Sequence, residues 1–267
     1  MVIKVGLIGC GAIGGTVLAA LDAGRVPGVA CVAALVRRRR QGADADPRLV
    51  TDVDAFFASA PDLIVECAGH EALRQYGTRA LSQGADLMIT SMGAFSDPAL
   101  LEAMERQATA SAKKLILLSA SIGALDILTA AREGGLDKVS VTVISPAAAL
   151  RDSLAAEPLD LDRLTAPVPF YQGPVREGAR LYPKNVNVAA AVSLAGLGLD
   201  ETRLEIRADP DATTHKFVIE AAGAFGSFRF EAEFTIDQAS RTKIAKVIPM
   251  AVIKSIRHYA GNVVIGG

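Results

Sequence analysis

Val2-Ile3-Lys4-Val5-Gly6-Leu7-Ile8 runs directly into Gly9-Cys10-Gly11-Ala12-Ile13-Gly14, and this stretch decides the fold. Its first half is an apolar, β-branched run of the kind that forms a buried strand. Its second half is G-x-G-x-x-G at the point where the pattern turns helical, through Leu21. The first glycine allows a tight turn, the second lets backbone approach a pyrophosphate, and the third lets the helix pack close to the strand. The helix that opens here presents unpaired N–H groups and the positive end of its dipole to phosphate. Gly9, Gly11, Ala12, Ile13 and Gly14 are therefore expected to contact a dinucleotide. A glycine turn without a ligand is the bland alternative, and the strand before it and helix after it argue against that.

Working outward, apolar strands at Ala30–Val36, Leu63–Cys67, Leu87–Thr90 and Leu115–Leu118 alternate with helical patterns, including Val53–Ala58 and Asp97–Ser111. Continuous apolar strands separated by helices predict a parallel sheet covered on both faces, a Rossmann-type α/β domain. Beyond residue 120 the texture changes. Val139–Ile144 and Leu204–Ala208 read as strands, and His215–Ala221 with Gly226–Ile236 alternates around a Gly223–Gly226 turn, which predicts a hairpin. Arg180–Ala195 reads as a loop leading into an Ala/Val-rich helix. Lys243–Tyr259 reads as a last helix that Pro249 either kinks or begins. The proline-bearing segment Leu150–Gly178 reads as an excursion. The expectation is a dinucleotide-binding domain from residues 1–119 plus 242–267, and a second α+β domain with a mostly antiparallel sheet at 120–241.

Composition bounds the function. The chain has 267 residues, 51% hydrophobic, and its 28 basic and 29 acidic residues leave a net charge of −1, so no overall field gathers nucleic acid. Aromatic residues are 5% with no Trp, leaving little for stacking bases. No apolar run approaches a membrane span, and no signal peptide is read at Met1. Cys10, Cys31 and Cys67 are too few and scattered for a disulfide framework or zinc site. No other His, Cys, Asp or Glu spacing suggests a metal. These features predict a cytoplasmic enzyme without nucleic acid or membrane partners.

The end of the second strand should read the adenosine ribose, and an acidic side chain there would favour NAD. The sequence places Arg37-Arg38-Arg39-Arg40 there. Guanidinium groups match phosphate bidentately, so Arg37 and Arg38 point to NADP over NAD; a solvated charge run is the alternative.

Several motifs together resemble the L-aspartate dehydrogenase family. They are Gly9–Gly14, Val65-Glu66-Cys67-Ala68-Gly69-His70, Ser91–Asp97, Ser119–Asp126 and Tyr182-Pro183-Lys184-Asn185-Val186-Asn187-Val188-Ala189-Ala190. The resemblance spans nearly the whole chain and is weakest between Thr142 and Gly178. It implies NAD(P)-dependent oxidation of L-aspartate to iminoaspartate, in a homodimer or higher homo-oligomer whose second domain supplies dimer contacts and much of the substrate cleft. It also implies that Ala68, Gly69, His70, Ser91, Ser121 and Asn187 line the cofactor, and that Lys184, Asn185 and Arg241 serve the substrate.

The chain departs from that family at the substrate end. Ungapped registration puts His215 where the family has Asn, and Phe217 where it has its catalytic His. A two-residue offset keeps a strand side chain on the same face but moves it roughly 7 Å. His215 is thus read as either the catalytic base or a surface strand histidine. The basic segment, usually Arg-Lys-Pro, is here Ile144-Ser145-Pro146. That change leaves two alternatives open: a related reductase acting on another small carboxylated imine, ketone or aldehyde, and a non-catalytic NADP(H)-binding protein. His258 reads as a solvated last-turn residue, Cys67 as a small buried hydrophobe, and Asp126 as the cap of an Ile127–Arg132 helix.

Overall fold

The computed structural model describes residues 2–38, 46–118, 122–151, 160–183, 186–234 and 246–265. The chain divides into two compact units, residues 1–120 with 248–267, and residues 121–247.

The first unit runs β1 (Ile3–Ile8), α1 (Ala12–Asp22), β2 (Val29–Leu35), β3 (Leu49–Val50), α2 (Val53–Ala58), β4 (Leu63–Glu66), α3 (His70–Ser82), β5 (Asp86–Ile89), α4 (Pro98–Ser111) and β6 (Leu115–Leu117). Its sheet has the order β3-β2-β1-β4-β5-β6 with every pairing parallel. The order reverses between β1 and β4, and ligands of open α/β sheets bind in the crevice at the carboxyl ends of such strands. Val5, Leu7, Leu63, Val65 and Met88 are buried under α1, which supplies Val17, Leu18 and Leu21 to the same core. The two-residue β3, too short to show as a pattern, extends the sheet beyond β2.

The last helix belongs to this unit in its packing. Val252, Ile253 and Ile256 join the core, and the Tyr259 hydroxyl donates to Asp86 Oδ2 at 2.8 Å. The helix spans Val247–Ala260, so Pro249 lies in its first turn. There the missing N–H has no intrahelical partner to lose, and the proline begins the helix rather than kinking it.

The second unit runs α5 (Leu125–Gly134), β7 (Leu136–Pro146), β8 (Val168–Pro174), α6 (Val175–Leu181), α7 (Asn187–Ala195), α8 (Gly198–Glu201), β9 (Arg203–Asp209), β10 (His215–Gly223) and β11 (Gly226–Phe234); the chain then returns to the first unit in the helix just described, α9 (Val247–Ala260). Its sheet order is β11-β10-β7-β9-β8. Only β7–β9 is parallel; the other three pairings are antiparallel. One face carries Val139, Val141, Val143, Leu204, Ile206, Ile219 and Ala221 into a core shared with Leu128, Ala189 and Val192 of the helices. The expected hairpin is present, with Gly223 paired to Gly226 across Ala224-Phe225.

Two expectations need correction here. Part of Leu150–Gly178 is no excursion, because Val168–Pro174 is the sheet's edge strand. Pro169 and Pro174 obscured it, and an edge tolerates them because one row of its backbone groups is not needed for pairing. The helix predicted to be capped by Asp126 starts earlier. Ala124 is its N-cap, no side chain caps it, and Asp126 lies in its first turn, where a carboxylate suits the dipole.

Candidate active site

The crevice of the parallel sheet is built from backbone. Gly9 follows β1 with φ +94°, and its N–H donates to Leu35 O at 2.9 Å, which ties the turn to the end of β2. A Cβ at Gly14 would stand 2.1 Å from Gly9 O, so the helix can approach the turn this closely only without a side chain. A Cβ at Gly11 would meet nothing within 4 Å, and the space over this part of the turn is open.

Helix caps distinguish the crevice from the rest of the sheet. Asp52 caps α2, accepting from Asp54 N at 2.8 Å, and Asp97 caps α4, accepting from Ala99 N at 3.1 Å. The two helices that flank the reversal of strand order, α1 and α3, start instead from Gly11 and Gly69, with no side-chain cap on either. A capping carboxylate satisfies first-turn amides and repels an anion, so the α1 end, which has no acidic residue in its first turn, suits phosphate, whereas α3 carries Glu71 in its first turn and the Gly69 amide donates to Glu66. The residues thus fit a dinucleotide: an open turn, a bare helix end and a closely packed third glycine.

Arg37 and Arg38 follow β2 directly and are exposed, next to the turn that Gly9 anchors to Leu35. Arg39 and Arg40 lie outside the described residues, as do Ser121, Lys184, Asn185 and Arg241. Across the reversal point, Ala68 is exposed and Gly69 half-buried in the loop after β4, and half-buried His70 is the first residue of α3. Ser91 is buried at the end of β5, and both its amide and its hydroxyl engage Glu66.

Glu66 is the buried polar residue of this crevice that sequence reasoning passed over. It closes β4 with 0% exposure, and its carboxylate accepts from Ala68 N and Gly69 N, both at 2.7 Å. The available signal was a charged residue ending the otherwise apolar Leu63-Ile64-Val65, since a buried strand holds a carboxylate only where donors surround it. Beside it, burial pushes the Cys67 thiol well above its ordinary value, with smaller contributions from the Glu66 charge and Cys10. A protonated thiol behaves as a small hydrophobe, but Cys67 is half-buried just past the end of β4 rather than buried within it as the sequence suggested.

In the second unit, His215 begins β10 on the face that also carries Phe217, Ile219 and Ala221. Lys216 pairs with Ile144, which brings His215 opposite Ser145 one residue beyond the ladder's end. The Ser145 hydroxyl lies 3.0 Å from His215 Nδ1, and Ser145 itself is fully buried. Burial lowers the pKa of His215 below its ordinary value, favouring the neutral imidazole. Phe217 is committed to packing: its ring centroid stands 5.8 Å from that of Phe234, and it lies against the core.

Asn187 is the first residue of α7, half-buried, and the N-cap position is Val186 with no side-chain cap. His258, half-buried, is in the last turn of α9 with Arg257, where basic groups suit the helix dipole. Among the described residues, no group of three or more His, Cys, Asp or Glu is placed to hold a metal, and no helix is long and apolar enough to cross a membrane.

Known proteins are similar to this chain over both parts of its sequence. Residues 126–259 match the family profile described as aspartate dehydrogenase, C-terminal, and residues 9–118 match that described as homoserine dehydrogenase, NAD binding domain. The chain is 39% identical over 265 residues to an L-aspartate dehydrogenase of Pseudomonas aeruginosa, covering 95% of this chain and 96% of the relative. It is 44% identical over 232 residues to an L-aspartate dehydrogenase of Cupriavidus taiwanensis, covering 85% and 86%. In fold it is similar to the crystal structure of aspartate dehydrogenase from Thermotoga maritima, with a TM-score of 0.78, 23% identity and 100% of both chains covered.

Proposed function

This chain belongs to the aspartate dehydrogenase family, and from that premise we propose that it oxidises L-aspartate to iminoaspartate with a nicotinamide dinucleotide. Water then converts the imine to oxaloacetate and ammonia. The observation that carries the reading is a family likeness running through both units, joined to a crevice whose glycine turn and bare α1 end suit a dinucleotide. When bound, the nicotinamide supplies the hydride acceptor; the chain supplies binding, orientation and proton exchange.

Gly9, Gly11, Ala12, Ile13 and Gly14 hold the pyrophosphate through backbone amides. Ala68, Gly69, His70, Ser121 and Asn187 line the cofactor, with Ser91 acting through Glu66. Arg37 and Arg38 give the preference for NADP, since two exposed guanidinium groups stand where an acidic side chain would select the 2′-hydroxyl of NAD. Lys184, Asn185 and Arg241 meet the carboxylates of the substrate. His215 exchanges the proton: Ser145 holds Nδ1, burial keeps the ring neutral, and Nε2 takes a proton from the amine or from water attacking the imine carbon. The reading includes a cytoplasmic location and a homodimer or higher homo-oligomer, which sedimentation checks.

Nicotinamide absorbance followed with L-aspartate, and in reverse with oxaloacetate and ammonia, tests the activity. Turnover in either direction is the expected result, and none in both overturns it. Ile144-Ser145-Pro146 favours a second reading, a different small carboxylated imine, ketone or aldehyde. A panel of those compounds that turns over faster than aspartate selects it.

A further inference from the structure

Glu66 stands at the junction of the two loops that follow β4 and β5. Oε1 accepts from Ala68 N and Gly69 N at 2.7 Å each and from the Ser91 hydroxyl at 3.0 Å. Oε2 accepts from Ser91 N at 3.1 Å, with Thr90 N farther off at 3.4 Å. The Thr90 hydroxyl donates to Glu66 O at 3.1 Å, so main chain and side chain of the same residue bind the β5 loop. The backbone partners can only donate, which commits both carboxylate oxygens to accepting. Among the described residues no Lys, Arg or His forms an ion pair with Glu66, which is fully buried.

Two consequences follow from that arrangement. Mechanically, one side chain fixes the separation of the Ala68-Gly69 and Thr90-Ser91 segments, so these loops move together or not at all. Electrostatically, a carboxylate answered by neutral dipoles in a poorly polarisable interior keeps much of its field, because solvent does not screen it. Its location matters for the same reason. In a doubly wound sheet the two nucleotides occupy opposite sides of the reversal point. Here α1 and the arginines after β2 mark the β1–β3 side as the adenosine half, which leaves the β4–β6 side, with Glu66, to the nicotinamide. That ring is cationic when oxidised and neutral when reduced.

We propose that Glu66 is a positioning residue of the crevice: it clamps the loops after β4 and β5, and its buried charge biases binding toward the oxidised cofactor. This rests on the dinucleotide reading given above. A wild-type chain that binds neither form of the cofactor would overturn that reading and this proposal with it, whereas binding of both forms with an unchanged ratio in Glu66→Gln would overturn this proposal alone.

Dissociation constants for oxidised and reduced cofactor are measured side by side by calorimetry, with thermal unfolding of each variant. Glu66→Gln removes the charge and turns an amide N–H₂ against backbone donors. Both forms should bind more weakly, and the ratio of oxidised to reduced dissociation constants should rise about tenfold, the scale of a unit charge roughly 12 Å away at an effective dielectric constant of about 20. Glu66→Asp keeps the charge but shortens the reach, so it should weaken both forms with a much smaller change in ratio. Asp52→Ala, which uncaps α2 away from these loops, should lower stability and leave the ratio alone. A wild-type ratio in Glu66→Gln, whatever its stability, overturns the charge effect, and so does an equal ratio change in Glu66→Asp. Should Glu66→Gln fail to fold, Ser91→Ala still tests the clamp: weaker binding of both forms supports it, and unchanged affinity for both overturns it.

Discussion

In the parallel sheet the groups that suit a ligand are mostly backbone amides, whereas in the mixed sheet the described residues offer a pair of side chains. Gly9, Gly11 and Gly14 suit a ligand by having no side chain, and α1 by lacking a cap. His215 and Ser145 act only because two strands align their ends. Chemistry vested in backbone geometry leaves a spaced glycine pattern that cannot be altered without altering the fold. A side-chain constellation can be exchanged residue by residue on an unchanged sheet.

Perturbing each half separately would break or sharpen that contrast. The largest effect is expected in the mixed sheet. His215→Ala should lower kcat/KM by about 10²–10⁴-fold, the range for a lost acid–base group, while cofactor affinity stays at the wild-type level. Unchanged turnover would remove His215 from the reaction. The pH profile follows from burial lowering its pKa. The active neutral form persists below the ordinary histidine range, so the acid limb of kcat/KM should lie below about pH 6.5. The same group makes the fold less stable as pH falls below about 6.5, because the unfolded chain then binds the proton more readily. Chemical denaturation across that range measures the slope.

In the parallel sheet the next largest effect should come from Gly14→Ala. Its Cβ would meet Gly9 O at 2.1 Å, forcing turn and helix apart. Cofactor affinity should fall about a hundredfold with this displacement, and stability by about 1–3 kcal/mol. Gly11→Ala meets nothing within 4 Å and should leave the melting temperature near wild type, so any loss there is confined to the cofactor. Equal melting losses for the two would show that the turn is not packed as described.

Smaller again, Arg37→Ala with Arg38→Ala should weaken NADP about tenfold or more, as expected for lost charge-assisted hydrogen bonds, and leave NAD unaffected. Equal weakening of both dinucleotides would make the arginines a general electrostatic patch. The smallest effect belongs to neither site. Tyr259→Phe removes the hydrogen bond to Asp86 and should cost about 1 kcal/mol in unfolding free energy with kcat unchanged.

By itself, the sequence determined the parallel sheet, its glycine turn and the hairpin of the second unit, because each rests on local rules. Apolar runs need burial, φ +94° at residue 9 needs glycine, and alternation at 215–221 and 226–234 needs a sheet with one buried face. It determined the family as well, since that likeness is spread over many positions. What only the tertiary structure decided depends on neighbours distant in the chain. Residues 168–174 are a strand because β9 offers an edge that tolerates their prolines. Ser145 and His215, 70 positions apart, meet because β7 and β10 are in antiparallel register. Glu66 is a clamp rather than an error in an apolar strand because Ser91, 25 residues later, brings its amide and hydroxyl to the carboxylate. A buried polar group takes its meaning from the donors around it, and linear sequence does not say which donors those are.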